Sequence, residues 1–178
     1  MTPDQLQALV RTIPDFPKPG ILFRDVTTLI VNGPGFAACV AKLAGQAAAA
    51  GAQAIAGMEA RGFIFGAAVA AQLTLPFVPV RKPGKLPVPV LAIDYALEYG
   101  TDTLEVDPGA ISPGQRVIII DDLIATGGTA LAAAQLLRRA GGAVDHALFV
   151  VDLPDLGGAE RLRGAGLTVA ALMEFPGH

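Results

Sequence analysis

Residues 117–130 read Val-Ile-Ile-Ile-Asp-Asp-Leu-Ile-Ala-Thr-Gly-Gly-Thr-Ala. Val117 to Ile120 are four β-branched apolar residues in succession, the pattern of a strand buried on both faces of a parallel sheet. Asp121 and Asp122 follow, where that strand is expected to end. Ala125-Thr-Gly-Gly-Thr129 then leads into a helical pattern through Leu131, Gln135, Leu136 and Arg138. Open parallel sheets bind ligands outside the carboxyl ends of their strands. A Gly-rich turn that opens a helix offers unpaired backbone N–H groups and a positive dipole end, and both suit a phosphate. Thr126 and Thr129 add hydroxyl donors to the backbone of Ala125, Gly127 and Gly128. Asp121 and Asp122 are two anions suited either to ribose hydroxyls or to a hard cation such as Mg²⁺. No Lys follows the glycines and no Gly-x-Gly-x-x-Gly is present, so this is neither a Walker loop nor a dinucleotide fingerprint.

Outward from this segment the chain alternates short apolar runs with helical patterns. Thr2-Pro3-Asp4 is a helix start. Residues 14–20 carry three prolines and can be neither helix nor central strand. Helices are expected over 35–50, 61–73 and 158–163, and the signature helix should end near Ala140. Strands are expected over 54–58, 77–80, 144–151 and 167–172, with a hairpin over 91–106 turning at Gly100. Repeated βα units of this kind predict one α/β domain over 1–178, with a parallel sheet flanked by helices on both faces.

Composition agrees with a well-buried single domain: 178 residues, 52% hydrophobic and 16% charged. A net charge of −3 argues against a general nucleic-acid binder. The single Cys39 excludes an internal disulfide and reads as a small buried hydrophobe. Residues 1–20 mix charges and prolines and contain no apolar targeting core. The Ala-rich stretch 36–56 is broken by Lys42, Gln46 and Gln53, which makes a poor membrane span. A soluble, cytoplasmic protein without a membrane partner is therefore expected.

The hydrophobic run, the two acids and the small/Thr/Gly loop together resemble the phosphoribosyl-diphosphate (PRPP) signature of type I phosphoribosyltransferases. Further blocks narrow the resemblance. Residues 14–25, Pro-Asp-Phe-Pro-Lys-Pro-Gly-Ile-Leu-Phe-Arg-Asp, are similar to the amino-terminal block of adenine phosphoribosyltransferases. Residues 81–87, Arg-Lys-Pro-Gly-Lys-Leu-Pro, and 95–100, Tyr-Ala-Leu-Glu-Tyr-Gly, resemble two more of that family's blocks. Residues 152–158, Asp-Leu-Pro-Asp-Leu-Gly-Gly, resemble its hood segment, with Asp152 in place of the usual Glu.

The resemblance implies the type I phosphoribosyltransferase fold, with a base-binding hood over about 1–33 and a flexible catalytic loop over about 81–103. It implies transfer of the phosphoribosyl group of PRPP to adenine with Mg²⁺, giving AMP and diphosphate, by a cytoplasmic homodimer. Carried over by position, the Leu22 backbone, Phe23 and Arg24 would meet the adenine. Ala125, Thr126, Gly127, Gly128 and Thr129 would cradle the 5′-phosphate, and Asp121 and Asp122 would meet the ribose hydroxyls. Glu59, Ala60 and Arg61, with Arg81, Lys82 and Lys85, would serve the pyrophosphate, with a cis peptide expected at Glu59-Ala60. Glu98 would assist proton loss from the attacking nitrogen, and Tyr99 would close over the site. Mg²⁺ would be bound mainly through PRPP, with no protein ligand assigned. Two other readings remain at this stage: transfer to xanthine or guanine, and a regulator that uses the loop to sense PRPP. A regulator is expected to carry a DNA-binding segment and to have little need of residues 81–103.

Overall fold

The computed structural model describes residues 1–97 and 100–177. Strands β1 (Arg11–Pro14) and β2 (Leu22–Asp25) form an antiparallel ribbon after the short helix α1 (Pro3–Gln7). Thr2 caps α1 in a reciprocal capping box with Gln5. Helices α2 (Thr27–Ile30) and α3 (Gly33–Ala49) lead to β3 (Ala54–Met58), α4 (Arg61–Leu73) and β4 (Phe77–Val80). A hairpin, β5 (Leu91–Ala96) and β6 (Thr101–Val106), precedes β7 (Arg116–Ile124) and α5 (Gly128–Arg139). The chain closes with β8 (Ala143–Asp152), α6 (Gly158–Gly164) and β9 (Thr168–Glu174).

The central sheet has the order β4-β3-β7-β8-β9, and every neighbouring pair in it is parallel. Its middle strands are buried on both faces, and the alternation of side chains divides them between two cores. Ile118 and Ile120 face a core built with Leu43 of α3 and Phe65 and Val69 of α4. Val117 and Ile119 face the other, built with Ala133, Leu136 and Leu137 of α5. Each fully buried aliphatic side chain contributes about 1.5–3 kcal/mol relative to exposure, so the run from Val117 to Ile120 anchors the domain. The hairpin lies on the α5 face, where Leu104 and Val106 are buried and Leu91, Ile93 and Tyr95 pack beside them. Paired backbone hydrogen bonds of 2.8 Å between Arg81 and Glu105 tie it to the end of β4.

One boundary differs from expectation in a way that matters for the site. β7 does not end at Ile120 but runs four residues further, to Ile124. Its pairing with β3 stops at Gly57 opposite Ile120, whereas its pairing with β8 continues through Leu123 opposite Val151 and Ile124 opposite Asp152. Asp121 and Asp122 are thus held in a strand bonded on one edge only, with their geometry set by the β8 ladder. Smaller differences are the start of α3 at Gly33 rather than at residue 35, and the reach of β9 to Glu174.

Candidate active site

The carboxyl ends of β3 and β7 and the start of α5 enclose a cavity of about 290 Å³. Its walls include Glu59, Ala60, Arg61, Asp121 and Asp122, together with the whole loop from Ala125 to Thr129. The loop turns because Gly127 takes φ = +76°, a left-handed conformation that residues with a Cβ adopt at a cost. No side chain caps the N-terminus of α5, which leaves its first backbone amides facing this cavity. Dipole and free donors therefore converge where the sequence predicts a phosphate. The Glu59-Ala60 peptide is cis, as the resemblance implies, and Phe16-Pro17 is cis as well.

Three of the four expected pyrophosphate cations are held by carboxylates, two of them on the cavity wall and one on β6. Arg61 Nε donates to Asp122 Oδ2. Arg81 Nε donates to Glu59 Oε2 at 3.0 Å, and the Lys82 backbone N–H reaches the same oxygen at 3.0 Å. Lys82 Nζ pairs with Asp102 Oδ2 and donates to the Tyr95 hydroxyl at 3.2 Å. That hydroxyl also lies 3.4 Å from Thr129 Oγ1, which links the hairpin to the phosphate loop. Lys85 is exposed and lines neither this cavity nor its neighbour.

These pairings set the electrostatics. The Lys82 amide, with the Arg81 guanidinium, holds the Glu59 carboxyl below its ordinary range. Burial, reinforced by the charge of Asp122, pushes Asp121 well above it. One acid of the pair thus resists ionising while the other stays bound to Arg61. Two oxygen donors on the cavity wall, beside a place for a polyanion, fit a hard cation such as Mg²⁺ held by one or two carboxylates and ligand oxygens.

A second cavity, of about 320 Å³, adjoins the first. Ile13, Phe16, Phe23, Arg24, Asp25, Val26 and Thr27 line it, and Arg61 borders both cavities. The Phe16 and Phe23 rings meet edge to face at 5.1 Å, which gives this space an aromatic wall. Arg24 is anchored from behind: it donates to Thr12 Oγ1 at 2.6 Å and to the Pro176 carbonyl at 2.8 Å, and lies 4.8 Å from the Phe175 ring centroid. Leu22 is exposed at the start of β2, and it does not line the cavity.

Of the expected site residues, Glu59, Ala60, Arg61, Asp121, Asp122 and Ala125 to Thr129 meet at one cavity, and Phe23 and Arg24 at the next. Arg81 and Lys82 join them through Glu59. Glu98 and Tyr99 lie outside the described residues. Sequence reasoning missed Phe16, Asp25, Tyr95 and Asp102. Phe16 and Asp25 lie in the 14–25 block and Tyr95 in the 95–100 block, which was their signal; Asp102 carried none.

Similarity to known proteins follows the same lines. The model of the phosphoribosyl transferase domain family matches residues 27–156. An adenine phosphoribosyltransferase of Novosphingobium aromaticivorans is 74% identical over 178 residues, covering all of both chains. The crystal structure of adenine phosphoribosyltransferase from Thermoanaerobacter pseudethanolicus superposes with a TM-score of 0.93 at 45% identity, covering 98% of this chain and all of that one. That of Saccharomyces cerevisiae, complexed with an imino-altritol bisphosphate and adenine, gives 0.90 at 36% identity, covering 96% and 97%. With its signature loop, its paired cavities and this likeness along its whole length, the chain belongs to the adenine phosphoribosyltransferase family.

Proposed function

We infer that the protein transfers the 5-phosphoribosyl group of PRPP to adenine, releasing AMP and diphosphate. The observation that carries this reading is the position of Arg61 between a phosphate-type cavity and an aromatic-walled cavity. Two substrates held on either side of one guanidinium can meet at the sugar's anomeric carbon.

The 5′-phosphate takes the amides and hydroxyls of 125–129, and the ribose hydroxyls lie against Asp121 and Asp122. Adenine packs against the wall that Phe16 and Phe23 form together, with Arg24 as a directed donor. A nitrogen of the base attacks the anomeric carbon, the bond from that carbon to the diphosphate oxygen breaks, and the nitrogen's proton departs. The resemblance assigns that proton to Glu98. Positive charge grows on the sugar beside the two aspartates, while negative charge grows on the leaving group. Arg61, Arg81, Lys82 and Lys85 receive that charge, the first three by exchanging a carboxylate partner for diphosphate. Mg²⁺ bound through PRPP, and held by Asp121 or Asp122, would neutralise the leaving group further. Closure of residues 81–103, with Tyr99, would exclude water that otherwise hydrolyses PRPP. By the same resemblance the working form is a cytoplasmic homodimer, each chain one domain with its hood at 1–33.

The test is nucleotide formation from PRPP and Mg²⁺ with adenine, hypoxanthine, guanine and xanthine offered separately. AMP formed from adenine alone is expected. Turnover of another base would overturn the reading of Phe23 and Arg24, and PRPP binding without any turnover would favour a PRPP-sensing regulator.

A further inference from the structure

Helix α6 is fastened directly to the phosphate loop. The Gly158 N–H donates to the Ala125 carbonyl at 3.0 Å, and a Cβ on Gly158 would stand 2.2 Å from that oxygen. Only glycine permits this approach, which sets the start of α6 backbone to backbone against the loop. Less than one turn along, Arg161 projects back over the loop. Its Nη1 donates to the Thr126 carbonyl at 3.4 Å and would lie 3.6 Å from a Cβ placed on Gly128. The guanidinium therefore lies across the middle of the loop, beside the start of α5.

Its partners set it apart from its neighbour on the same helix. Arg163 is paired with Glu160. Arg161 has no ion pair among the described residues, and its one side-chain hydrogen bond there is the long contact to Thr126. A guanidinium carries five N–H donors in a planar fork that matches a phosphate face. The loop itself, Ala-Thr-Gly-Gly-Thr, has no charge with which to meet a dianion. Asp121 and Asp122, on the sugar side, are acids and supply no positive charge.

We propose that Arg161 is a further substrate-binding residue, which contacts the 5′-phosphate of PRPP and of AMP from the outer side of loop 125–129. This rests on the reading of that loop as the 5′-phosphate cradle. Arg161 rotates from the Thr126 carbonyl onto the phosphate when substrate enters, adding a charge-assisted contact to the neutral donors. It discriminates between the two anionic ends of PRPP, because Arg61, Arg81 and Lys82 stand at the other end.

The experiment is calorimetry of the full chain with ribose 5-phosphate and with diphosphate, titrated separately. For Arg161→Ala, ribose 5-phosphate should bind on the order of tenfold more weakly, with diphosphate binding unchanged. Arg161→Lys, which keeps the charge but loses the fork, should fall between the two. Unchanged ribose 5-phosphate binding in Arg161→Ala would overturn the proposal, and so would equal weakening of both ligands, the mark of a structural effect. If the wild-type protein itself fails to bind ribose 5-phosphate, the phosphate-loop reading falls first and takes this one with it.

Discussion

Arg61 donates its Nε–H to Asp122 while bordering both cavities, so one ion pair stands at the junction of the two substrate spaces. The partners are unequally placed: the Asp122 side chain is 7% exposed and that of Arg61 55%. A buried carboxylate that loses its only charged partner is costly, whereas an exposed guanidinium can turn away to a new anion. Exchange of Asp122 for diphosphate at Arg61 therefore requires that the ribose hydroxyls take the place of the guanidinium at Asp122, which couples diphosphate and sugar binding. Asp122→Asn should lower kcat/KM on the order of tenfold or more. Near wild-type steady-state kinetics in that variant would refute the role of Asp122.

Arg24 links the base cavity to the carboxy terminus. Its hydrogen bonds to Thr12 and Pro176 fix the guanidinium at the wall, so it needs no reordering when a base enters. Arg24→Ala should raise KM for adenine about tenfold, the size of one charged hydrogen bond, and leave PRPP binding intact. Calorimetry showing equal loss of both substrates would mean that Arg24 serves mainly to hold the tail.

The contrast between these two sites shows what a sequence can display. The cradle was legible because strand, acids, glycines and helix start are consecutive, and Ala54 to Leu73 read equally well for the same reason. The continuation of β7 past Ile120 was not legible, because it depends on a β8 ladder formed some thirty residues later in the chain. Of the base cavity only Phe23 and Arg24 were legible, through the resemblance of residues 14–25; the rest was not, because Ile13 and Phe16 meet Val26 and Thr27 only after the β1–β2 ribbon folds back. Tyr95 and Asp102 face each other across a hairpin whose register fixes the pair, and a weakly alternating pattern does not specify register.

Lys82 is occupied before substrate arrives. Asp102 holds its ammonium group, and the hydrogen bond to Lys82 lowers the carboxyl's affinity for protons. The side chains of Lys82 and Asp102 are 36% and 29% exposed, so the pair adds little stability but competes with any incoming anion. Asp102→Asn should tighten diphosphate binding by roughly threefold at low ionic strength, with the gain vanishing in high salt. Weaker binding instead would mean that Asp102 positions Lys82 rather than competing for it.

Asp25 gives the fold a pH-dependent component at the edge of the base cavity. Hydrogen bonds from Thr27 and then from Arg11 bring its carboxyl down from the usual 3.8 to about 2. Thr27 donates its backbone N–H at 2.9 Å, and Arg11 donates from Nε at 3.2 Å and Nη2 at 2.5 Å. The unfolded chain takes up the proton near 3.8, while the folded protein holds it off until about 2. Between those values the unfolded state binds more protons, so stability from this group is complete above 3.8 and drains away as pH falls toward 2. Asp25→Asn removes the titration. Urea unfolding should therefore show the wild type more stable near neutral pH, with the gap closing across that acid window. A gap that stays constant to the acid end would mean that the Arg11 and Thr27 contacts are no stronger than their counterparts in the unfolded chain.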